Sequence, residues 1–438
     1  MSALFSDLAV PRVPRLVRFG DSEGLLLGGP PAAEGAESLD RHLARLGPAP
    51  MLSSDDILSE VRASGLQGRG GGSFPLARKL ETALRSPGQP LLVVNCSESE
   101  PASRKDRAIC SARPHVVLDG AAAIARALGA EEAVIHLHGS STEVVSALRV
   151  ALAERRTVSG DPLWRLSCGP GGYVAGESSA VARFVHSGVA LPSFSSIPLA
   201  RQGPSGRPTV VSNAETAAHV ALIVRCGAAR WREAGTDSCP GPQLLTVTGA
   251  VPEPGTVVEL VGVATIGEVL KAAGVTSAPQ AVLVGGYAGS WVQGDVAWHT
   301  DMEPSALDRL GAERGCGLLG VLPHGACGLV ETARIVRYLA GESAGQCGPC
   351  VHGLPVLADG MEALARGDSV RRALRRMSRT AEALPGSGAC RHPDGVVRLV
   401  ASTLKVFAVD LIQHRAGTTC PESNRGPVFP LTPAANSW

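Results

Sequence analysis

Two cysteines separated by Gly-Pro stand at Cys347 and Cys350 in the segment SAGQCGPCVHG, and a third, Cys390, follows in GSGACRHPDG. Thiolates at this spacing ligate a metal or an iron–sulfur cluster, or cycle as a redox dithiol. The same four residues occur in thioredoxin, where the dithiol opens a helix after a strand. Here the preceding ETARIVRYLAG reads as a helix and nothing strand-like follows the motif. With one histidine, His352 or His392 being nearest in sequence, the three thiolates also meet the tetrahedral requirement of zinc. The plain alternative is three buried thiols and no metal. Cys327 is set aside as a ligand, because about 17 helical positions at 1.5 Å rise would place it about 25 Å from position 344, three residues before Cys347.

A second group of residues is rich in glycine and charge. The loop GRGGGSFPLARK, Gly68 to Lys79, has side-chain-free positions whose N–H groups could approach a phosphate, with Lys79 adding charge; a tight turn is the competing reading. NCSESEPASRKDR sets Asn95, Glu98 and Glu100 just past an apolar run, where open α/β sheets bind ligands. GPGGYVAGESSAVARF passes from a glycine turn through Tyr173 into a helix, and RPTVVSNAETAAHV places Asn213 and Glu215 after another short apolar run.

These segments need a scaffold. SSDDILSEVRASG has a helix start and a glycine stop, LLVVN and EEAVIHLHG read as strands, and VVLDGAAAIARAL lies between them as a helix, so the first half is an α/β layer structure. After Trp231 the texture becomes LLTVTGAV, a PEPG turn, TVVEL, a helix near IGEVLKAAG and AVLVGGYAG, a compact sheet with one helix. Beyond Gly328 helical patterns dominate, as in LVETARIVRYLAGES and VRRALRRMSRTAEAL. At 438 residues, two or three domains are expected. A net charge of +1 gives no electrostatic case for nucleic acid or an anionic membrane. The absence of a long apolar run or a secretory leader predicts a cytoplasmic protein without direct membrane insertion, and the eleven cysteines are too scattered for a disulfide framework.

Taken in order, the four glycine- and charge-rich segments resemble the FMN-binding domain of the flavoprotein subunit of respiratory complex I, also found in NAD-dependent hydrogenases and formate dehydrogenases. The family pattern reads approximately GRGGAGFPxGxKW, NxDEGEPGxxKDR, GAGAYICGEETAL and PTxxNNVETL. The resemblance implies that Gly68, Arg69, Gly70, Gly71 and Lys79 line the flavin site, with Asn95, Glu98, Glu100, Tyr173, Gly176, Glu177 and Asn213 around it. It also implies that Phe74 stacks on the NADH adenine. Departures are Ser97 for Asp, Ser178 for the second Glu of GEE, Ser212 for the first Asn, and Thr82 for the second stacking aromatic. Losing one aromatic face removes roughly 1 kcal/mol of stacking. The family's SCGQCxPC, completed by a later cysteine, holds a 4Fe-4S cluster; Cys347, Cys350 and Cys390 match, but Ala344 stands for the first cysteine. Three thiolates imply a 3Fe-4S cluster, or a 4Fe-4S cluster with another ligand on its last iron.

The expected organisation is an N-terminal arm (1–50) with at most a short helix at SLDRHLARL, an FMN/NAD-binding α/β domain (51–235) and a small β-grasp domain of the soluble-ligand-binding type (240–325). A C-terminal all-α helical-bundle iron–sulfur domain (328–420) and a tail (421–438) follow. The resemblance implies a flavoprotein oxidising NAD(P)H and passing electrons through FMN and the cluster to an iron–sulfur or ferredoxin-type partner. The alternative is a scaffold that keeps the fold and has lost NADH oxidation and perhaps the cluster, for which Ser97, Ser178, Thr82 and Ala344 speak.

Overall fold

The computed structural model describes residues 14–19, 25–416 and 426–431. Ten strands are found among them: β1 (Leu16–Phe19), β2 (Leu91–Asn95), β3 (Glu132–His138), β4 (Leu163–Gly169), β5 (Thr209–Asn213), β6 (Gln243–Gly249), β7 (Thr256–Leu260), β8 (Ala281–Val284), β9 (Ser290–Gln293) and β10 (Leu318–Leu322).

The first sheet is wholly parallel, in the order β4-β3-β2-β5. Its central strand β2 is a continuous apolar run because helices cover it, as parallel sheets require. The chain builds outward from β2 through β3 to β4, then returns to add β5 on the other side of β2. The topological switch point therefore falls between β2 and β5, whose last residues, Asn95 and Asn213, are register partners. Behind the sheet the helices Pro114–Leu128 and Ala214–Cys226 lie so close that a Cβ on Gly120 would collide with the Ala217 carbonyl. Glycine is needed there for the close approach of two backbones.

The second sheet is mixed, in the order β1-β7-β6-β10-β8-β9. β6 and β7 form a hairpin, the helix Ile266–Ala272 follows with a capping box at Thr265, and β10 inserts parallel to β6. From Gly328 onward the described elements are helical: Gly328–Gly341, Leu354–Arg366, Val370–Ala383, His392–Val406 and Ala408–Arg415. Their core continues into the second sheet through Tyr287 and Trp291.

The ends of the chain do more than an arm and a tail. β1 joins the second sheet, pairing parallel to β7 with Leu16 opposite Val257. The backbone N–H groups of Leu25, Leu26 and Leu27 donate to the buried Glu259 carboxylate at 2.8, 2.6 and 3.0 Å. A four-residue edge strand among prolines carries no alternation to read, which is why the sequence gives no sign of it. The helix expected at SLDRHLARL is present as Leu39–Leu46, capped by Ser38. Of the tail, residues 426–431 are described, and Phe429 is buried against Tyr287 and Trp291.

The N-terminal segment is fastened to the first sheet's helices by buried charges. Asp119 accepts from His42 at 2.8 Å and from Arg155 at 2.6 Å, and pairs with Arg225. Glu37 takes both nitrogens of Arg45 at 2.8 Å. Burial alone would raise the Glu37 carboxyl, but hydrogen bonds from Arg45 and His42 pull it down to about 2. Burial alone would lower His42, and its bonds to Asp119 and Glu37 outweigh this and raise it above 6.5. A depressed carboxyl stabilises above its unfolded value of 4.5 and loses that contribution as pH falls toward 2. A raised histidine stabilises fully below 6.5 and loses its contribution as pH rises through its folded value. Asp119→Asn takes the one carboxylate partner that Arg225 has among the described residues, while Arg155 keeps Asp161, and should cost about 3–5 kcal/mol. Burial alone would raise the Asp119 carboxyl, but hydrogen bonds and charge from His42, Arg155 and Arg225 outweigh it and hold the carboxyl below 3.8. In urea denaturation across pH, the deficit relative to the native chain should therefore be largest between 3.8 and 6.5. A deficit that stays constant as pH rises above 6.5 would show that His42 does not take part.

Candidate functional site

The four glycine- and charge-rich segments converge at the carboxyl ends of β2 and β5. The glycine loop is closed by Gly68 N–H to the Phe74 carbonyl at 2.9 Å and by a bridge between Gln67 and Pro75. It lies over the switch point: a Cβ on Gly70 would stand 3.3 Å from the Asn213 Cβ. Gly71 has φ +102°, a conformation that favours glycine, and a Cβ there would meet the backbone at Gly315 and Cys316 from the second sheet. Around Gly72 the space is open, and Phe74 projects half exposed.

Lys79 donates to the Val211 carbonyl at 2.8 Å. Among the described residues no carboxylate pairs with it, and burial lowers its pKa. An ammonium with two donors unused, beside a glycine loop, is suited to an anion. Asn95 spans the crevice, donating to the Gly176 carbonyl at 3.0 Å and accepting from Ser97 N–H. Gly176 packs directly on Ser99, leaving no room for a Cβ.

Several residues expected at the cofactor hold the walls of the crevice. Glu98 accepts from the N–H groups of Asp106 and Arg107 and from Ser103, capping the helix Lys105–Ala112. Glu177 caps the helix Ser178–Ser187, and Asn213 caps Ala214–Cys226 while donating to Asp106 at 2.8 Å. Both glutamates place negative charge where helix N-termini favour it. The Arg69 guanidinium, expected beside the flavin, is buried and donates to the Pro240 carbonyl at 2.8 Å, while its N–H bonds Thr216. The partner lies far away in sequence, so nothing local indicates this orientation.

Glu100 sits where the two sheets and the helical half meet. It accepts from Tyr287 N–H at 2.9 Å and from the Tyr173 hydroxyl at 3.4 Å, and its Oε1 is buried without a partner. Burial pushes its carboxyl up to about 7, against these hydrogen bonds. Among the unpaired buried polar atoms, Ser97 Oγ, Ser99 Oγ, Glu100 Oε1, Arg104 Nε and Ser212 Oγ belong to the segment following β2 or to the end of β5. Buried polar groups are normally satisfied, so such a group of orphans marks a ligand's place. The residues present thus fit a phosphate-bearing, polar-edged cofactor such as FMN.

Of the charges beneath the crevice, the sequence singles out Glu215 but neither Lys105 nor Asp106. Lys105 is buried and pairs with Asp106 and Glu215, each at 2.9 Å, and Glu215 also accepts Leu244 N–H from β6. Burial would lower Lys105, but the two carboxylates overcome this and raise it. Charged residues in RKDR and NAET beside apolar runs were the available signal.

The second part of the site is a small cavity lined by Cys347, Cys350, Cys390 and Ala344, together with Val174, Pro192 and Gln346. Cys350 lies in a short wide-turn helix, Pro349–Gly353, and burial pushes its thiol up to about 11. The methyl group of Ala344 therefore lines the cavity that a fourth thiolate would have entered. Among the described residues no group of three or more His, Cys, Asp or Glu side chains converges as on a single metal ion. His352 is exposed. His392 is buried, bonding the Leu339 carbonyl at 2.7 Å and packing on Tyr173. Zinc in a Cys3His site is thus poorly served, whereas a larger cluster takes ligands spread around a cavity. Cys327 lies at the far end of the helix Gly328–Gly341, against His414. Val174 follows Tyr173 directly, so one loop, Tyr173 to Glu177, forms a wall of both the crevice and the cysteine cavity.

Comparison with known proteins agrees with this division. Residues 61–222 match the Nuo51 FMN-binding domain, and residues 331–414 match the NADH-ubiquinone oxidoreductase-F iron-sulfur binding region. The NADH-quinone oxidoreductase F 2 subunit of Rhizobium meliloti (strain 1021) is 28% identical over 93% of this chain and 99% of its own length. The corresponding F subunit from Streptomyces coelicolor is 28% identical over 89% of this chain and 88% of its own. A crystal structure of an NAD+-reducing [NiFe]-hydrogenase in the H2-reduced state superposes with a TM-score of 0.76 at 29% identity, over 83% of this chain; the chain spans 62% of that protein's length. Fold, the order of the two regions and the near full-length relatives agree: the chain carries a Nuo51 FMN-binding domain followed by an NADH-ubiquinone oxidoreductase-F iron-sulfur binding region, and along most of its length it is similar to the F subunits of NADH-quinone oxidoreductases.

Proposed function

We propose that this chain oxidises NAD(P)H at an FMN held over the β2/β5 switch point and passes the electrons to an iron–sulfur cluster on Cys347, Cys350 and Cys390, and from there to a partner protein. The observation that carries the reading is the shared wall: Gly176 is tied to Asn95 at the crevice, and Val174, two residues earlier, lines the cysteine cavity. FMN, when bound, accepts two electrons together and releases them singly. The protein's share is binding and placement. Lys79 and the open backbone at Gly72 receive the phosphate, the hydroxyls of Ser97 and Ser212 offer hydrogen bonds, and the exposed face of Phe74 offers a stacking surface for the dinucleotide. Glu100, near neutrality in its titration, can hold a proton at its unpaired Oε1 beside the crevice.

The middle sheet supports a β-grasp assignment, with a hairpin (β6, β7), a helix, and a last strand, β10, inserted beside the first. Among the described residues no helix is long and apolar enough to cross a membrane.

The reading is tested by the visible spectrum of anaerobically purified protein before and after NADH, with flavin and iron assayed on the same sample. Flavin bands with a broad iron–sulfur shoulder, both bleached by NADH, are expected; a colourless protein that reconstitution cannot load would overturn it. Lys79→Met removes a charge-assisted hydrogen bond of about 1.5–3 kcal/mol, so FMN retention on dialysis should weaken about tenfold to a hundredfold. Serine at Cys347, Cys350 or Cys390 should release iron, while serine at Cys327 should leave it. Ala344→Cys supplies the missing thiolate and should raise iron per chain, abolishing the EPR signal of an oxidised three-iron cluster if the native protein shows one. Unchanged iron in that variant together with retained iron in the three serine variants would remove the cluster from this cavity.

A further inference from the structure

The helix Val370–Ala383 carries Arg371, Arg372, Arg375, Arg376 and Arg379, all exposed. Spacings of three and four residues put them in adjoining rows along one side of the helix. On the opposite side Val370, Leu374 and Met377 pack into the core of the helical half. Among the described residues none of the five guanidinium groups has an ion pair or a side-chain hydrogen bond. The nearby carboxylates are already committed: Asp359 and Glu362 pair with Arg337, and Asp368 pairs with Arg366. Glu382, the one carboxylate on the helix, accepts from Ser378. A chain whose formal net charge is +1 thus concentrates five uncompensated cations on a single face.

The C-terminal end of this helix leads to the cysteine cavity. The residue after the helix, Leu384, packs against Gly353, in the short helix that bears Cys350, and the chain then runs directly to Cys390. We propose that the arginine face docks an acidic, ferredoxin-type electron-transfer protein, holding it next to the cavity of Cys347, Cys350 and Cys390. The proposal rests on the electron-relay reading for its purpose, and on the unpaired arginines for its chemistry. Guanidinium groups pair with carboxylates bidentately, and uncompensated charge accelerates encounter with a partner of opposite sign. A membrane fits less well, since the apolar side of the helix is spent on the core and none is left to insert. Nucleic acid fits less well, since no aromatic residue stands among the arginines to stack on bases.

The test uses the full chain loaded with flavin and iron, titrated calorimetrically with a purified acidic plant-type ferredoxin at low and moderate ionic strength. Binding should be present at low salt and weaken as salt rises. Changing all five arginines to glutamine should weaken it by about tenfold or more, while Arg149→Gln with Arg156→Gln, exposed on the other half, should not. Flavin content, iron content and thermal unfolding report that the variants remain folded. The proposal is overturned if the native chain does not bind the ferredoxin at low salt or if the five-fold variant binds equally well. It is also overturned if duplex DNA or phosphatidylserine vesicles bind through these arginines more tightly than the ferredoxin. Intact docking in a protein that NADH cannot reduce would instead refute the electron-relay reading and leave the surface in place.

Discussion

The crevice depends on one buried cation. Lys105 is held between Asp106 and Glu215, and these three belong to the segment after β2 and to the helix after β5, the two places where the chain leaves the switch point. Asp106 passes the constraint to Asn213, and Glu215 passes it to β6 of the second sheet. Taking such a group out of water is repaid only when every member is present, so its worth lies less in net stability than in fixing one geometry. With it fixed, the glycine loop can rest on Asn213 and the middle sheet can reach Gly71.

Built on that platform, the family's departures acquire a pattern. Ser97 and Ser212 replace longer polar residues and leave hydroxyls buried and unpaired at the ends of the two central strands, so polarity is retained while reach is shortened. Ala344 lines the cysteine cavity without contributing a donor.

Local features were legible in the sequence. Ser53 and Gly65 bound the helix Ser54–Ser64 as a cap and a left-handed stop, and the continuous apolar run LLVVN is a covered parallel strand. The order of the four segments and the C-x-x-C spacing pointed to the crevice and to the cavity, because such motifs are contiguous. Contacts closed over long separations were not legible. The bond of Arg69 to Pro240 is of this kind, and that Glu98 and Glu177 cap helices shows only once those helices are placed. Nor does the pairing of β1 with β7 show in either strand alone.

That pairing bears on how the protein is made. Residues 16–19 leave the ribosome long before Thr256–Leu260, the strand they pair with. At about 5–20 residues per second, the interval is roughly 10–50 seconds. Throughout it the first sheet and its helices can assemble, but the segment carrying Leu26 and Leu27 has neither the Glu259 carboxylate nor the β7 edge to hold it. Biosynthesis therefore leaves an unpaired strand and two leucines of the eventual core in search of a surface, and a chaperone that shelters the nascent N-terminus would act on this segment first.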